Sequence, residues 1–187
     1  LVMDYAKLMR VGYNGLLEQA WTGLAGLTKD DPDYGDKRDY YQATIISLEA
    51  AKCYINRYAD LAAQRAGSET DEKRRKELET MSANCRQIAG GPARSFWQAM
   101  QLFNFATTLT QIESNGHSIS YGRMDQWLYP YYKADLDSGA ITREFALELI
   151  EVEYVKMNNP TKLKDKGTVV VRNGRGFGGE CLTIGGV

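Results

Sequence analysis

The only histidine of the chain, His117, lies in a short polar segment that follows a strongly apolar run. Glu113 and Asn115 precede it and Ser118 follows it. Imidazole, carboxylate, amide and hydroxyl groups together can hold a polar ligand by hydrogen bonds in a water-poor pocket. His117 and Ser118 are adjacent, so they do not resemble a nucleophile and its base, which need facing side chains and an orienting third group. Ligand binding is one interpretation, but a lone histidine beside an apolar surface is more often a structural residue that has found partners at a helix end.

Arg123 and Asp125 lie a few residues further along the same segment. An arginine can hold an anion and an aspartate can accept a proton, but a half-buried arginine usually needs a carboxylate beside it. The sequence favours pairing between these two side chains. The aromatic residues that follow are typical of a core or an interface: Trp127, Tyr129, Tyr131 and Tyr132.

Apolar residues spaced three and four apart predict the helices that must position this segment. The predicted elements are a helix over about 2–25, a second long helix that ends at Gly67 and Ser68, and a solvated helix through the mixed charges of 69–77. A helix apolar on nearly every side follows over 94–112. The last predicted helix, over about 142–157, is capped by Thr142 and has an apolar face made of Phe145, Leu149, Val152 and Tyr154. A helix that is apolar all round must be buried. We therefore expect the helix before His117 to lie inside a larger body.

The last part of the chain changes character. Residues 168–171 are β-branched, residues 173–179 are rich in glycine, and 182–184 could form another strand. The glycine-rich stretch precedes a strand-like segment instead of opening a helix, so it is a poor dinucleotide-binding motif. Helices followed by strands predict an α/β protein.

Composition excludes several classes of function. A formal net charge of −1 gives no field that would gather nucleic acid or coat a membrane. The apolar runs are too short to span a bilayer, and we expect a cytoplasmic protein. Cys53, Cys85 and Cys181 are odd in number and widely spaced, which argues against disulfides or a zinc site; Cys53 and Cys85 are predicted to pack within helices.

The two ends of the sequence suggest an internal fragment. Leu1 begins a stretch already in helical phase, without a capping residue before it. Gly185 and Gly186 interrupt a strand-like segment at the other end. We therefore expect residues 1–187 to be part of a larger domain.

Four segments carry a resemblance to a known family: 4–15, 54–59, 113–126 with 129–132, and 183–186. The third segment is the most specific, because it joins Glu-Ser-Asn-Gly-His-Ser to Gly-Arg-Met-Asp-Gln. In these motifs the chain resembles the pyruvate formate-lyase-like glycyl radical enzymes, and most closely their cobalamin-independent glycerol and diol dehydratase branch. The resemblance covers nearly the whole chain.

The resemblance implies a fold, a cofactor and partners. The chain would be a mostly helical piece of a ten-stranded β/α barrel made of two half-barrels, with the first barrel strands near its C-terminal end. A glycyl radical, installed by an S-adenosylmethionine iron-sulfur activating enzyme, passes to a cysteine inside the barrel, and the thiyl radical removes a substrate hydrogen. No cofactor would bind this chain directly, and the full-length protein would be a homodimer acting on a small molecule.

The resemblance also implies roles for residues of the candidate segment. His117 and Ser118 match the pair that binds the substrate hydroxyls, whereas Glu113, Asn115, Arg123 and Asp125 would shape the site. The family's Gly-Cys-Val-Glu loop and its Arg-Val-x-Gly-Tyr radical loop do not occur in this sequence. Cys181 is followed by Leu182, so it does not match the thiyl cysteine. We therefore expect no catalytic residue in residues 1–187, which alone would be inactive.

We predict that the chain is part of a radical dehydratase that eliminates water from glycerol or a small 1,2-diol. Within the same family the alternatives are a choline, sulfonate or hydroxyproline lyase, an arylacetate decarboxylase and a formate acetyltransferase. The alternative outside enzymes is a helical interaction domain, in which the apolar and aromatic surfaces would bind a protein partner.

Overall fold

The computed structural model describes residues 2–114, 119–157, 167 and 182–185 of the chain. Its helices are α1 (Tyr5–Ala25), α2 (Tyr34–Ser68), α3 (Glu72–Ile88), α4 (Phe96–Glu113), α5 (Met124–Asp137) and α6 (Arg143–Lys156). Within the described residues, β-structure consists of two isolated parallel bridges, Val2 with Ser120 and Gly122 with Leu182. The strand predicted at 168–171 and Cys181 lie outside the described residues. The prediction of a mostly helical chain is confirmed.

The chain divides into two compact units, residues 6–93 and residues 1–5 with 94–187. In the first unit, α1 packs on α2 through an apolar cluster. Its buried members are Leu17, Ala20 and Ile45, and Leu24, Tyr41 and Leu48 pack around them. Side chains three and four apart on each helix supply this cluster, as the spacing in the sequence predicts.

Helix α1 is interrupted at Gly12, whose φ is +66°. The loop after α3 lies against this break. The Asn14 N–H donates to the Gly90 carbonyl at 2.8 Å, and the Ala93 N–H donates to the Met9 carbonyl at 3.1 Å. A Cβ atom on Gly12 would lie 2.6 Å from the Gly90 oxygen, so both the φ angle and the close approach require glycine.

Helices α2 and α3 pack against each other and are joined by a short connection. Asp71 caps α3, since its carboxylate accepts the Arg74 N–H at 2.7 Å. The charges of the following turns are exposed: Lys76 and Glu72 form an ion pair at 2.7 Å with side chains 68% and 69% exposed. The prediction that this charged run lies on a solvated helix is confirmed.

The two cysteines in the described residues differ. Cys85 is buried on α3, and burial raises the pKa of its thiol to about 11. Cys53 lies on α2 with an exposed side chain. The prediction of a packing role is therefore confirmed for Cys85 and wrong for Cys53, because that position on α2 faces solvent.

In the second unit, α4 packs against both α5 and α6. Two edge-to-face aromatic pairs mark these contacts: Phe96 with Tyr132 at 5.7 Å and Trp97 with Phe145 at 5.2 Å between ring centroids. Thr142 caps α6 as predicted, because its hydroxyl accepts the Phe145 N–H at 3.2 Å.

Helix α6 buries a different face from the one the sequence predicts. Val152 and Tyr154 were expected to be buried, but they are 47% and 41% exposed. Ala146 and Glu153 are buried instead. A buried carboxyl needs a hydrogen-bond partner, and Asn104 of α4 supplies one, with Nδ2 3.3 Å from the Glu153 Oε1.

Candidate functional site

The candidate segment begins at the end of α4 and continues to the start of α5. Asn115, His117 and Ser118 lie outside the described residues, so their predicted roles are expectations. Glu113 is described as the last residue of α4, and its side chain is exposed. The residue after Ser118 is Ile119, which is 1% exposed. The polar segment therefore leads directly into a buried part of the chain.

Helix α4 is fixed at its far end by two acceptors. The Ser95 hydroxyl accepts the Gln98 N–H at 3.2 Å, and the carboxylate of Asp135 on α5 accepts the Phe96 N–H at 2.7 Å. The first N–H groups of a helix have no partner within it, and an anion there is also favoured by the helix dipole. Asp135 thus fastens α4 to α5.

The sides of α4 are less uniformly apolar than the sequence suggests. Thr107 and Gln111 are buried polar residues, whereas Ile112 is 64% exposed. The Thr107 hydroxyl lies 3.2 Å from the hydroxyl of Tyr5, and both groups are buried. In the last turns of α4, polar residues therefore lie on the buried side and an apolar residue lies on the exposed side. Polar groups enter the interior here because each can form a hydrogen bond.

An aromatic cluster surrounds Phe103 in the middle of α4. The rings of Tyr5, Tyr121 and Trp127 each lie 5.2 Å from the ring of Phe103. Tyr5 and Trp127 also stack on each other at 5.2 Å. Tyr121 is 2% exposed and belongs to the candidate segment. The cluster therefore anchors this segment on α4 in a dry environment.

The backbone of the candidate segment pairs on both sides. Ser120 forms a parallel bridge with Val2, and Gly122 forms one with Leu182. The Thr183 N–H donates to the Gly122 carbonyl at 3.1 Å. Residues 120–122 are thus the middle piece of a short parallel arrangement. Such pairing is typical of the interior of β/α folds.

Arg123 and Asp125 lie beside each other, as the sequence predicts. The Arg123 Nε is 3.8 Å from the Asp125 Oδ1, with both side chains 32% exposed. The other oxygen, Oδ2, accepts the N–H of Gly185 at 2.9 Å. Asp125 therefore joins the start of α5 to a segment 60 residues further along the chain.

Glu153 is a buried carboxyl on α6. It is 4% exposed, and burial raises its pKa to about 7, although the Asn104 amide and the charge of Lys156 act in the opposite direction. Sequence reasoning missed Glu153. The available signal was its position seven residues after Ala146, which places both on one face of α6.

Other contributors were also missed. Asp135, Tyr5, Phe103 and Tyr121 were not singled out as positioning residues, although each contacts another element. The contacts of Asp135 and Tyr5 join residues 39 and about 100 positions apart in the chain. Spacing along the chain carries no signal for such contacts.

Two features are absent from the part of the chain that the structure describes. No group of three or more histidine, cysteine or carboxylate side chains there could hold a metal ion. Among the helices of these residues, none is long and apolar enough to cross a bilayer.

Comparisons with known proteins bear on residues 1–187 as a whole. The pyruvate formate lyase-like family model matches residues 1–187. A (2S)-3-sulfopropanediol dehydratase of Klebsiella oxytoca is 71% identical over 187 residues, which is 100% of this chain and 23% of the relative.

Two solved structures are also similar to the chain. A solved structure described for 1,2-propanediol dehydration in Roseburia inulinivorans matches 98% of the chain at 40% identity with a TM-score of 0.89. The match covers 22% of that protein's length. The glycerol-bound B12-independent glycerol dehydratase of Clostridium butyricum matches 90% at 41% identity with a TM-score of 0.85, over 21% of its length.

The chain thus spans 23% of the length of its curated relative. The family model matches the chain from end to end, and the sequence and structural similarities agree with it. Described parts of two of the motifs that carry the resemblance, residues 119–126 and 183–185, are joined by the backbone hydrogen bond of Thr183 to Gly122 and by the Asp125 contact. The chain belongs to the pyruvate formate lyase-like family of glycyl radical enzymes.

Proposed function

We propose that the chain is part of a radical dehydratase that eliminates water from a small 1,2-diol carrying a sulfonate group. The observation that carries this proposal is the 71% identity over the whole chain to a (2S)-3-sulfopropanediol dehydratase. Sulfopropanediol is a 1,2-diol, so the proposal narrows the predicted substrate class from small 1,2-diols to sulfonated ones. The sulfonated diol replaces glycerol as the preferred substrate. A second relative, an isethionate sulfite-lyase of Oleidesulfovibrio alaskensis at 38% identity, supports a sulfonate lyase as the alternative.

The proposed reaction removes the elements of water from neighbouring carbons. A thiyl radical, on a cysteine outside this chain, takes a hydrogen atom from the terminal carbon, which bears the first of the two hydroxyls. The hydroxyl of the adjacent carbon leaves as water with the proton of the first hydroxyl, and return of the hydrogen atom from the cysteine thiol to the adjacent carbon gives an aldehyde. Such a step needs a dry site in which only one substrate hydrogen faces the sulfur.

In this proposal His117 and Ser118 hold the two substrate hydroxyls. Imidazole and hydroxyl groups can both donate to and accept from an alcohol. The buried neighbours Ile119 and Tyr121, at 1% and 2% exposure, support a water-poor setting for the segment. Hydrogen bonds are electrostatically stronger in such surroundings. Glu113, Asn115, Arg123 and Asp125 shape the site without contacting the reacting atoms.

The remaining parts of the enzyme belong to the same proposal. The full-length protein would supply the thiyl cysteine, the glycyl radical and the other strands of a ten-stranded barrel. A radical S-adenosylmethionine enzyme would install the radical, and the cytoplasmic protein would be a homodimer. A helical interaction domain, the alternative outside enzymes, has no support from the matched relatives.

Substrate choice tests the proposal directly. The activated full-length protein is assayed under anaerobic conditions with (2S)-3-sulfopropanediol, glycerol and isethionate, and aldehyde and sulfite are measured separately. We expect the highest kcat/KM for the sulfonated diol, with aldehyde and no sulfite released. A preference for glycerol would reject the sulfonated substrate, and sulfite release would favour the lyase alternative. No turnover of any of the three would reject the proposed dehydratase and favour the other activities of the family.

The roles of His117 and Ser118 have their own test. Substituting His117→Ala should lower turnover about 100-fold, because a misplaced substrate presents the wrong hydrogen to the sulfur. Ser118→Ala should lower it about tenfold, the cost of one hydrogen bond. The glycyl radical signal in electron paramagnetic resonance should not change, since the radical is formed elsewhere.

Ser120→Ala is the matched control. It removes the same hydroxyl two residues away, at a position whose backbone pairs with Val2. We expect wild-type turnover from this variant. Equal losses for Ser118→Ala and Ser120→Ala, or unchanged turnover for His117→Ala, would contradict the assigned roles.

A further inference from the structure

Among the described residues, the candidate segment pairs with residues 182–185 through its backbone. The described contacts are the Gly122–Leu182 bridge and the hydrogen bond from the Thr183 N–H to the Gly122 carbonyl at 3.1 Å. Register is weakly specified in short, glycine-rich pairings, and a slip of one residue turns every side chain to the other face. A further contact is therefore needed to fix the alignment.

Asp125 supplies that contact from outside the pairing. Its Oδ2 accepts the Gly185 N–H at 2.9 Å. Asp125 lies three residues after Gly122, and Gly185 lies three residues after Leu182, the two members of the bridge. Gly185 has a φ of +77° and Gly122 a φ of +65°, so both backbones turn at the two ends of this arrangement. In a one-residue slip the carboxylate would face a different amide. The hydrogen bond therefore selects one register.

The position of Asp125 suits this role. It lies in the first turn of α5, where a negative charge is favoured by the helix dipole. Its second oxygen, Oδ1, faces the Arg123 Nε at 3.8 Å, an ion-pair distance. The carboxylate is thus oriented by Arg123 and the helix while it holds Gly185.

We propose that Asp125 is a positioning residue that fixes the register between residues 119–123 and residues 182–185. The segment 119–123 follows Ser118 directly in the sequence, so a change in its register is expected to affect turnover. The contribution to turnover rests on the proposed function. The backbone contact itself does not.

The test compares Asp125→Ala, Asp125→Asn and the control Asp137→Ala in the full-length protein. Asp137 is also on α5, and its exposed carboxylate pairs with Lys133 at 2.7 Å. Amide hydrogen exchange of the peptide that contains Gly185 should become at least about fivefold faster in Asp125→Ala, the loss of one charge-assisted hydrogen bond. Asp125→Asn keeps an acceptor oxygen and should keep most of the protection, and Asp137→Ala should not change it.

Activity provides the second measurement. Asp125→Ala should lower kcat/KM at least about tenfold with an unchanged glycyl radical signal, and Asp125→Asn should recover most of this loss. An unchanged exchange rate at Gly185 in Asp125→Ala would overturn the positioning role, whatever the substrate. Equal damage from Asn and Ala would overturn it too, because the charge and not the hydrogen bond would then matter. Failure of the wild-type protein to convert the diol would instead reject the proposed function.

Discussion

The charged groups of α2 and α3 lie on the surface, whereas some of those on α5 and α6 lie in the interior or at its edge. Lys76, Glu72, Arg74 and Glu77 form exposed ion pairs along α3, and Arg86 pairs with Asp60 of α2. By contrast, Glu153 is 4% exposed and Asp135 accepts a backbone N–H of another helix. Exposed pairs contribute little to stability, but a buried carboxyl acts only through specific partners. The difference indicates that the region of α4, α5 and α6, and not that of α2 and α3, uses its carboxyl groups to hold a defined geometry.

The largest effect should come from Glu153. Its folded-state pKa of about 7 lies above the ordinary 4.5, so the folded protein binds more protons than the unfolded chain between these values. The free energy of unfolding therefore falls as pH rises through that window, by up to about 3 kcal/mol. Glu153→Gln keeps an acceptor for Asn104 without a charge, so it should remove this dependence and stabilise the protein above pH 7.

Thermal unfolding of the full-length protein at pH 5 and pH 8 provides the measurement. Glu151→Gln is the control, because Glu151 is an exposed carboxylate of the same helix. We expect it to behave like the wild type. The unfolding temperature could instead change equally between pH 5 and pH 8 in the wild type and in Glu153→Gln. The buried carboxyl of α6 would then affect stability no differently from the exposed charges of α2 and α3.

A smaller effect is expected for Asp135. Asp135→Ala removes the acceptor of the Phe96 N–H at the start of α4, and loss of such a cap costs about 1–2 kcal/mol. Asp135→Asn retains an oxygen acceptor and should cost less. Hydrogen exchange of the first α4 amides, together with thermal unfolding, measures both variants. Identical behaviour of the two would show that the hydrogen bond to Phe96 does not hold α4.

The smallest effect is expected on α3. Lys76→Ala breaks the exposed pair with Glu72, which should cost less than about 0.5 kcal/mol and lose even that in high salt. Thermal unfolding at low and high salt measures the change. A loss as large as that of Asp135→Ala would mean that the exposed charges of α3 stabilise the fold as strongly as the buried ones.

The sequence predicted well those features that depend on neighbouring residues. Thr142 caps α6, and the end of α2 at Ser68 follows the Gly67 and Ser68 signal, because capping and turn preferences act over a few residues. The buried face of α6 was predicted wrongly. A glutamate in a helix is expected to be exposed unless a hydrogen-bond partner for its carboxyl is known. That partner, Asn104, lies 49 positions earlier in the chain.

The candidate site shows the same limit. The pairing of Arg123 with Asp125 could be predicted, because the residues are two apart and of opposite charge. The contact of Asp125 with Gly185 could not be predicted, because only the fold brings together residues 60 apart. The roles of His117 and Ser118 came from the family resemblance and stay predictions.

The break in α1 at Gly12 has a consequence for protein engineering. Residues 90–93 have the composition of a flexible connection, with two glycines and a proline. Their backbone nevertheless supplies partners to Asn14 and Met9, which a continuous helix would have supplied itself. The loop therefore completes the backbone hydrogen bonding of α1 at its break. An inserted tag or an added linker residue here would disrupt α1, whereas exposed Gly35 has open space around it and would tolerate a side chain.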